Sequence, residues 1–340
     1  MNLPVIFEKY RAEIDTELKS VLSERRSPLY DMMRYHLGWA DAYGNVCEAP
    51  AGKALRPTLC LLACEAIKGE YERALPAAAA LELIHNFSLI HDDIQDNDRQ
   101  RRHRATVWAI WGKPQAINAG TAMRILTNSA LRRLGDLDVP PEKRLLVQQL
   151  MDEASLRLIE GQYLDIDFEK RLDITVPDYL QMIGGKTASL IACSLEVGAL
   201  LGTDDERVIN DFRRLGWDLG LSFQIRDDIL GIWGDRDITG KPLAGDIQRR
   251  KKTLPVVRAL ENATDGYKER LVRFYGDGKD KTDITSILDA LNRSGAQAYA
   301  QKMNENYCRE ARQIIRGLDI DAAARGYFEE LVGFLEERNF

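Results

Sequence analysis

Two apolar stretches that both end in paired aspartates, LELIHNFSLIHDDIQD and LGLSFQIRDDILG, constrain this chain more than any other feature. Their apolar residues recur three and four apart, the spacing of one helix face. Carboxylates at the end of a buried helix are costly unless something cationic meets them, because desolvating an unpaired charge is expensive. Two such helices imply a cationic ligand. Within the first, Asp92 and Asp96 are four residues apart and lie about 40° from each other around the axis. His85 falls on much the same face two turns earlier, and Asp93 points roughly 100° away. Oxygen ligands without accompanying histidine or cysteine suit magnesium, which takes one or two carboxylates and completes its octahedron with water and substrate phosphates.

A diphosphate held by magnesium calls for basic residues to meet its remaining charge. The sequence supplies Lys53 and Arg56 in AGKALRP, Arg101 and Arg102 after the first acidic motif, Lys186 in GGKTASL, Lys241 in TGKP and Lys251 in RRKKTLP. These clusters are local. The formal net charge of −6 argues against a nucleic-acid binder, which recruits phosphate backbones through broad basic surfaces. GGKT is not a Walker A loop, since Leu180 stands where that loop needs glycine. No GxSxG turn supports a hydrolase.

Helical spacing runs almost throughout the chain, and no convincing alternating strand is found. Breaks are expected at Pro140-Pro141, before Pro177, at Gly202-Thr203 and in GDGKDKTD. The 45% apolar and 29% charged composition is that of a folded globular protein, and no low-complexity linker divides it. A single all-α domain over residues 1–340 is therefore expected. Cys47, Cys60, Cys64, Cys193 and Cys308 lack the spacing of a zinc site or a disulfide framework. The N-terminus does not resemble a signal peptide, and no segment approaches the ~20 apolar residues of a membrane span. A cytoplasmic location is the expectation.

At this point the residues resemble the trans-isoprenyl diphosphate synthases. DDIQD is similar to the family's first aspartate-rich motif and FQIRDDILG to its second, with AGKALRP, RQRRHRATVW, GQYLD, GGKTASL, TGKP and DIQRRKKTLP in family order. The resemblance covers residues 51 to 260. It implies the isoprenoid synthase helical bundle around a central cavity, usually a homodimer, and a magnesium-dependent prenyltransferase. Isopentenyl diphosphate would be condensed with an allylic diphosphate to give a linear all-trans product. Carried over by residue, Asp92, Asp96 and Asp227 would hold three magnesium ions, with Asp93 and Asp228 as further candidates. Arg101, Lys186, Thr187, Gln224, Lys241 and Lys251 would contact the allylic diphosphate, and Lys53, Arg56, His85 and Arg102 the isopentenyl diphosphate. Asp92, Asp96, Lys186 and Asp227 would carry catalysis.

Phe87 and Ser88 sit about one turn below Asp92. A bulky ring followed by a small side chain resembles geranylgeranyl (C20) synthases, whereas farnesyl (C15) enzymes often carry bulk at both positions. The chain departs from the family pattern at Gly231, which replaces the last aspartate of the second motif, and at Ala54, Trp108 and Thr121. A terpene cyclase on the same fold and a non-catalytic partner subunit are the competing readings. Retention of the isopentenyl-binding set argues against the first, and retention of both acidic motifs against the second. Residues 235–252, rich in glycine and charge, are expected to close over substrate.

Overall fold

The computed structural model describes residues 4–49, 52–234, 244–262, 266–276 and 283–337. These residues are all-α apart from one two-stranded hairpin and an isolated bridge between Ala40 and Val46. They form two compact units. One comprises Val5–Asp152 and Ser194–Ile209; the other comprises the described residues of Met1–Pro4, Glu153–Cys193 and Asn210–Phe340.

The first unit contains α1 (Ile6–Lys9), α2 (Arg11–Leu22), α3 (Pro28–His36), α4 (Leu55–Lys68) and α5 (Leu75–Gln95). They are followed by strands β1 (Gln100–Arg101) and β2 (Arg104–Ala105), then α6 (Val107–Trp111) and α7 (Lys113–Arg132). Its centre is α5, begun by Pro76 in its first turn and buried along nearly its whole length. The small side chains of Ala77 to Ala80 are fully buried and let α4 and α7 pack closely against it. The hairpin pairs Gln100 with Ala105 and Arg101 with Arg104, leaving Arg102 and His103 as a two-residue turn with φ of +50° and +62°. The sequence reading found no strand here because two residues per strand are too few to show alternation.

In the second unit lie α9 (Val176–Ile183), a π-helical turn (Gly184–Ala188), and α12 (Gly245–Gln248) through α17: α13 (Leu254–Asn262), α14 (Tyr267–Gly276), α15 (Ile284–Arg293), α16 (Ala296–Gly317) and α17 (Ala322–Glu337). Three further helices are α8 (Pro141–Phe168), α10 (Ser189–Gly202) and α11 (Glu206–Trp233). The expected break at Pro140-Pro141 thus opens α8, and Thr175 caps α9 in a reciprocal box with Asp178. Close approach fixes several glycines. A Cβ on Gly216 would fall 2.6 Å from Ala192 Cα, and one on Gly220 2.5 Å from Ala188 Cα, so α11 lies directly on the π turn and α10. The helical run Val176–Gly202 is long and apolar enough by composition to cross a membrane, which the sequence reading did not anticipate. Some 83% of its most apolar window is buried inside the protein, the setting of a core helix.

Candidate active site

Asp92, Asp93 and Asp96 crowd the C-terminal turn of α5, with Asp96 as its cap and no basic residue in that turn. The negative end of the helix dipole already disfavours anions there, by about 0.3–1 kcal/mol each. Three carboxylates in that position make a strong demand for a cation. The structure separates their roles. Asp93 is buried and tied to Arg101, whose Nε and Nη2 both lie 2.8 Å from its Oδ1. Burial, opposed by Arg101, brings the Asp93 carboxyl up to about 6. Asp92 is partly exposed and Asp96 exposed, which leaves those two turned to solvent.

Around this helix the first unit gathers buried charge. Arg56 on α4 is 9% exposed, and its Nε meets no acceptor among the described residues. Burial lowers Arg56 to about 10, with Glu82 opposing the shift. Glu82 accepts from Asn86 Nδ2 at 2.9 Å on one oxygen, while its other oxygen meets no donor. His85 is pushed well below its ordinary value by burial and then by Arg56, Arg102 and Arg101, so it is a neutral imidazole among guanidiniums. His36 on α3, which the sequence reading passed over, is lowered to about 3 by burial and then by Arg102 and Arg101. A cleft lined by Tyr35, His36, Asp93, Arg101, Arg102 and Arg104 opens beside them. The Arg102 guanidinium lies against Gly52, where a Cβ would fall 2.6 Å from its Nη2. Next to that glycine, Lys53 is exposed and Ala54 takes a left-handed conformation, φ +51°, to enter α4. Arg56, His85, Arg101 and Arg102 are therefore brought together.

The second unit builds its set on α11 and the π turn. Lys186 pairs with Asp165 of GQYLD at 2.5 Å, a partner whose motif was visible in sequence but whose role was not. Gly161 of the same motif is needed because a Cβ there would fall 2.7 Å from Gly185 C and Lys186 Cα, and closer still to Lys186 N. Thr187 donates to Gln224 Oε1 at 2.8 Å, and Gln224 Nε2 donates to Asp228 Oδ1 at 3.1 Å. Asp228 also accepts from Tyr179 Oη and, at 2.9 Å, from Leu254 N. Burial raises its carboxyl to about 7, against those hydrogen bonds. Asp228 thus anchors α11 to α9 and α13, while its neighbour Asp227 stays partly exposed. Lys251 is exposed, but Lys252 is buried and donates to the carbonyls of Phe168 and Glu169 at 3.1 and 2.9 Å, closing the end of α8. Lys241, and residues 235–243 of the segment expected to close, lie outside the described residues.

Phe87 is buried and stacks edge-on to His91, with ring centroids 5.9 Å apart; Ser88 donates to His85 O at 2.8 Å. Among the described residues, no three His, Cys, Asp or Glu side chains converge into a closed metal cage. Magnesium does not require one when substrate phosphates and waters supply most of its oxygens, so partly exposed Asp92 and Asp227 and exposed Asp96 each fit it as ligands. The place of a side chain at Gly231 is already taken by a carboxylate: a Cβ there would fall 2.5 Å from Asp246 Cγ.

Known proteins share this fold and much of this sequence. The polyprenyl synthetase family model matches residues 39–291. The chain is 34% identical over 331 residues to a (2E,6E)-farnesyl diphosphate synthase of Mycobacterium tuberculosis, covering 96% of this chain and 91% of that one. It is 40% identical over 264 residues to a geranylgeranyl diphosphate synthase of the same organism, covering 78% and 74%. Its fold matches the crystal structure of a polyprenyl synthetase from Streptomyces coelicolor A3(2) with a TM-score of 0.89 at 36% identity, over 97% and 98% of the two chains. The matched span, the relatives and the shared helical fold establish that this chain is a trans-prenyltransferase of a divalent-metal-using enzyme class and belongs to the polyprenyl synthetase family.

Proposed function

We propose that the chain condenses isopentenyl diphosphate with an allylic diphosphate to give a linear all-trans product, chiefly C20 geranylgeranyl diphosphate, with three magnesium ions held by Asp92, Asp96 and Asp227. The observation that carries elongation over cyclisation is the set of buried Arg56, partly buried Arg102 and neutral, partly buried His85. It offers charge and a free donor for a second diphosphate, which a cyclase has no use for.

In this reading Lys53, Arg56 and Arg102 bind the isopentenyl diphosphate, and His85 donates to it without adding charge. Arg101, Lys186, Thr187, Gln224, Lys241 and Lys251 bind the allylic diphosphate. Asp165 holds the Lys186 ammonium in place, and the chain from Thr187 through Gln224 to Asp228 orients the hydroxyl and amide. Magnesium, when bound, supplies the positive charge that stabilises the departing diphosphate. The allylic C–O bond breaks with its electron pair leaving on diphosphate, and the isopentenyl double bond forms the new C–C bond. The proton lost at the end passes to the released diphosphate. Apolar side chains keep water from capturing the cation, Phe87 bounding the growing tail and small Ser88 leaving it room.

The relatives carry farnesyl (C15), geranylgeranyl (C20) and geranylfarnesyl (C25) names, so product length is the point to test. Purified protein is incubated with magnesium, labelled isopentenyl diphosphate and dimethylallyl, geranyl or farnesyl diphosphate, and the dephosphorylated products are sized. A main C20 alcohol supports the reading; another linear length rejects Phe87 as the limit. A cyclic hydrocarbon formed from an allylic diphosphate alone rejects elongation.

Exposed Ile117 and Ile125 on α7, and Leu156, Ile159 and Tyr163 on α8, each at least 49% exposed, support the homodimer. Sedimentation of the purified protein as a monomer at micromolar concentration would reject it. We place the enzyme in the cytoplasm.

A further inference from the structure

We propose that Arg104 and Tyr35 form a positioning lock, which fixes the hairpin turn so that Arg102 meets the isopentenyl diphosphate. Neither of the two side chains touches substrate; they act through Arg102, and the inference rests on the role proposed for that residue above.

The turn hangs between two helices. Arg101 and Arg104 are cross-strand partners on either side of Arg102 and His103. Like charges in that relation repel, and each guanidinium is drawn off to a different anchor. Arg101 goes to Asp93 on α5, by two contacts of 2.8 Å. Arg104 goes the other way. Its Nη1 donates to Tyr35 O at 3.1 Å, in the last turn of α3, and its Nη2 to Ala40 O at 2.8 Å, in the segment that follows that helix. A planar guanidinium serves two carbonyls at once in a way that an ammonium does not, and the negative end of the α3 dipole favours the cation. A neutral residue at 104 would avoid the repulsion from Arg101, so the arginine is explained by its fork.

Tyr35 returns the grip. Its ring lies under the Arg104 guanidinium, with the centroid 4.0 Å from Cζ, and its hydroxyl donates to Ala105 O at 2.8 Å, on the same strand as Arg104. The buried Tyr35 ring is itself held edge-on by Trp111, with centroids 5.2 Å apart. Strands of two residues have almost no ladder to fix them, so these contacts set where the hairpin stands. The consequence falls on Arg102, whose guanidinium sits against Gly52, just ahead of Lys53 and Arg56. Arg11 Nη1 pins that glycine by donating to its carbonyl at 2.7 Å. The lock therefore sets the spacing between Arg102 and the cations of AGKALRP. Arg101 keeps its own anchor in Asp93, so the isopentenyl side depends on the lock and the allylic side does not.

The test is steady-state kinetics of the full-length protein with magnesium, isopentenyl diphosphate and geranyl diphosphate, each substrate varied in turn. Arg104→Met is expected to raise KM for isopentenyl diphosphate about 10-fold, the loss when a hydrogen bond from a charged group is misplaced, with KM for the allylic substrate unchanged. In an Arg102→Met background it is expected to add nothing, because a residue that acts through another loses its effect with it. Tyr35→Phe removes one hydroxyl and no packing; it is expected to raise the same KM about 3-fold, and carries the same comparison if Arg104→Met does not fold. An unchanged isopentenyl KM, an equal rise in both KM values, or an effect that multiplies with that of Arg102→Met would each overturn the lock while leaving the role of Arg102 standing. If Arg102→Met itself leaves the isopentenyl KM unchanged, the role proposed for Arg102 falls and the lock with it.

Discussion

Replacing Gly161 by alanine tests how the π turn is held. The new Cβ would lie 2.7 Å from Gly185 C and from Lys186 Cα, and closer to Lys186 N. All three obstacles are backbone, so no side chain can rotate away, and ordinary contact requires the turn to retreat by about 1 Å. Overpacking of this kind costs about 1–3 kcal/mol, while alanine's better helix propensity returns about 1 kcal/mol, leaving a net loss of up to about 2 kcal/mol. The retreat carries Lys186 away from Asp165, and a displacement near 1 Å can cost about 10²-fold in turnover. Urea denaturation and turnover at saturating substrates are compared with Gly326→Ala on α17, where a Cβ meets nothing within 4 Å. That control is expected to be neutral or stabilised by up to about 1 kcal/mol, with full activity. A Gly161→Ala protein as stable and as active as the control would refute the account of the turn.

Other perturbations separate neighbouring residues. Asp92→Ala is expected to abolish turnover with the fold retained by circular dichroism, and undiminished activity would remove Asp92 from the metal site. Asp228 gives a signed pH dependence in metal-free protein: its folded carboxyl, raised to about 7, binds a proton that the unfolded chain releases near 3.8. Its contribution is full below about 4, falls as pH rises to about 7, at no more than about 1.4 kcal/mol per pH unit, and is flat above. Asp228→Asn should flatten that part of the denaturation profile, and an unchanged slope would show that another group is responsible. Lys252→Met should cost about 1–3 kcal/mol by stripping the donors from the end of α8, whereas Lys251→Met should leave stability alone and weaken diphosphate binding. Equal losses of stability would overturn that division.

The helices were legible because their apolar spacing is long and regular, and the two acidic ends because buried charge needs a reason. Sequence could not divide work within each pair. Asp93 and Asp228 read as spare ligands until the structure gave them Arg101 in one case, and Tyr179, Gln224 and Leu254 in the other. Periodicity says which face a residue shares with its own helix, not what another helix brings to it. Glu82 carried a signal that went unused: an acid three residues before His85 in an otherwise apolar run. Gly231 looked only like a lost carboxylate, because no helical repeat could show that Asp246, fifteen residues on, fills the space a side chain there would need.

The hairpin turn at Arg102 and His103 places two side chains in left-handed backbone, where asparagine and glycine are at ease. Each such residue forfeits on the order of 1 kcal/mol. An engineer seeking a hardier protein would write Asn-Gly there and lose the guanidinium beside Gly52, which, on the proposed role of Arg102, makes this turn a place where heat tolerance and substrate grip pull the same two codons in opposite directions.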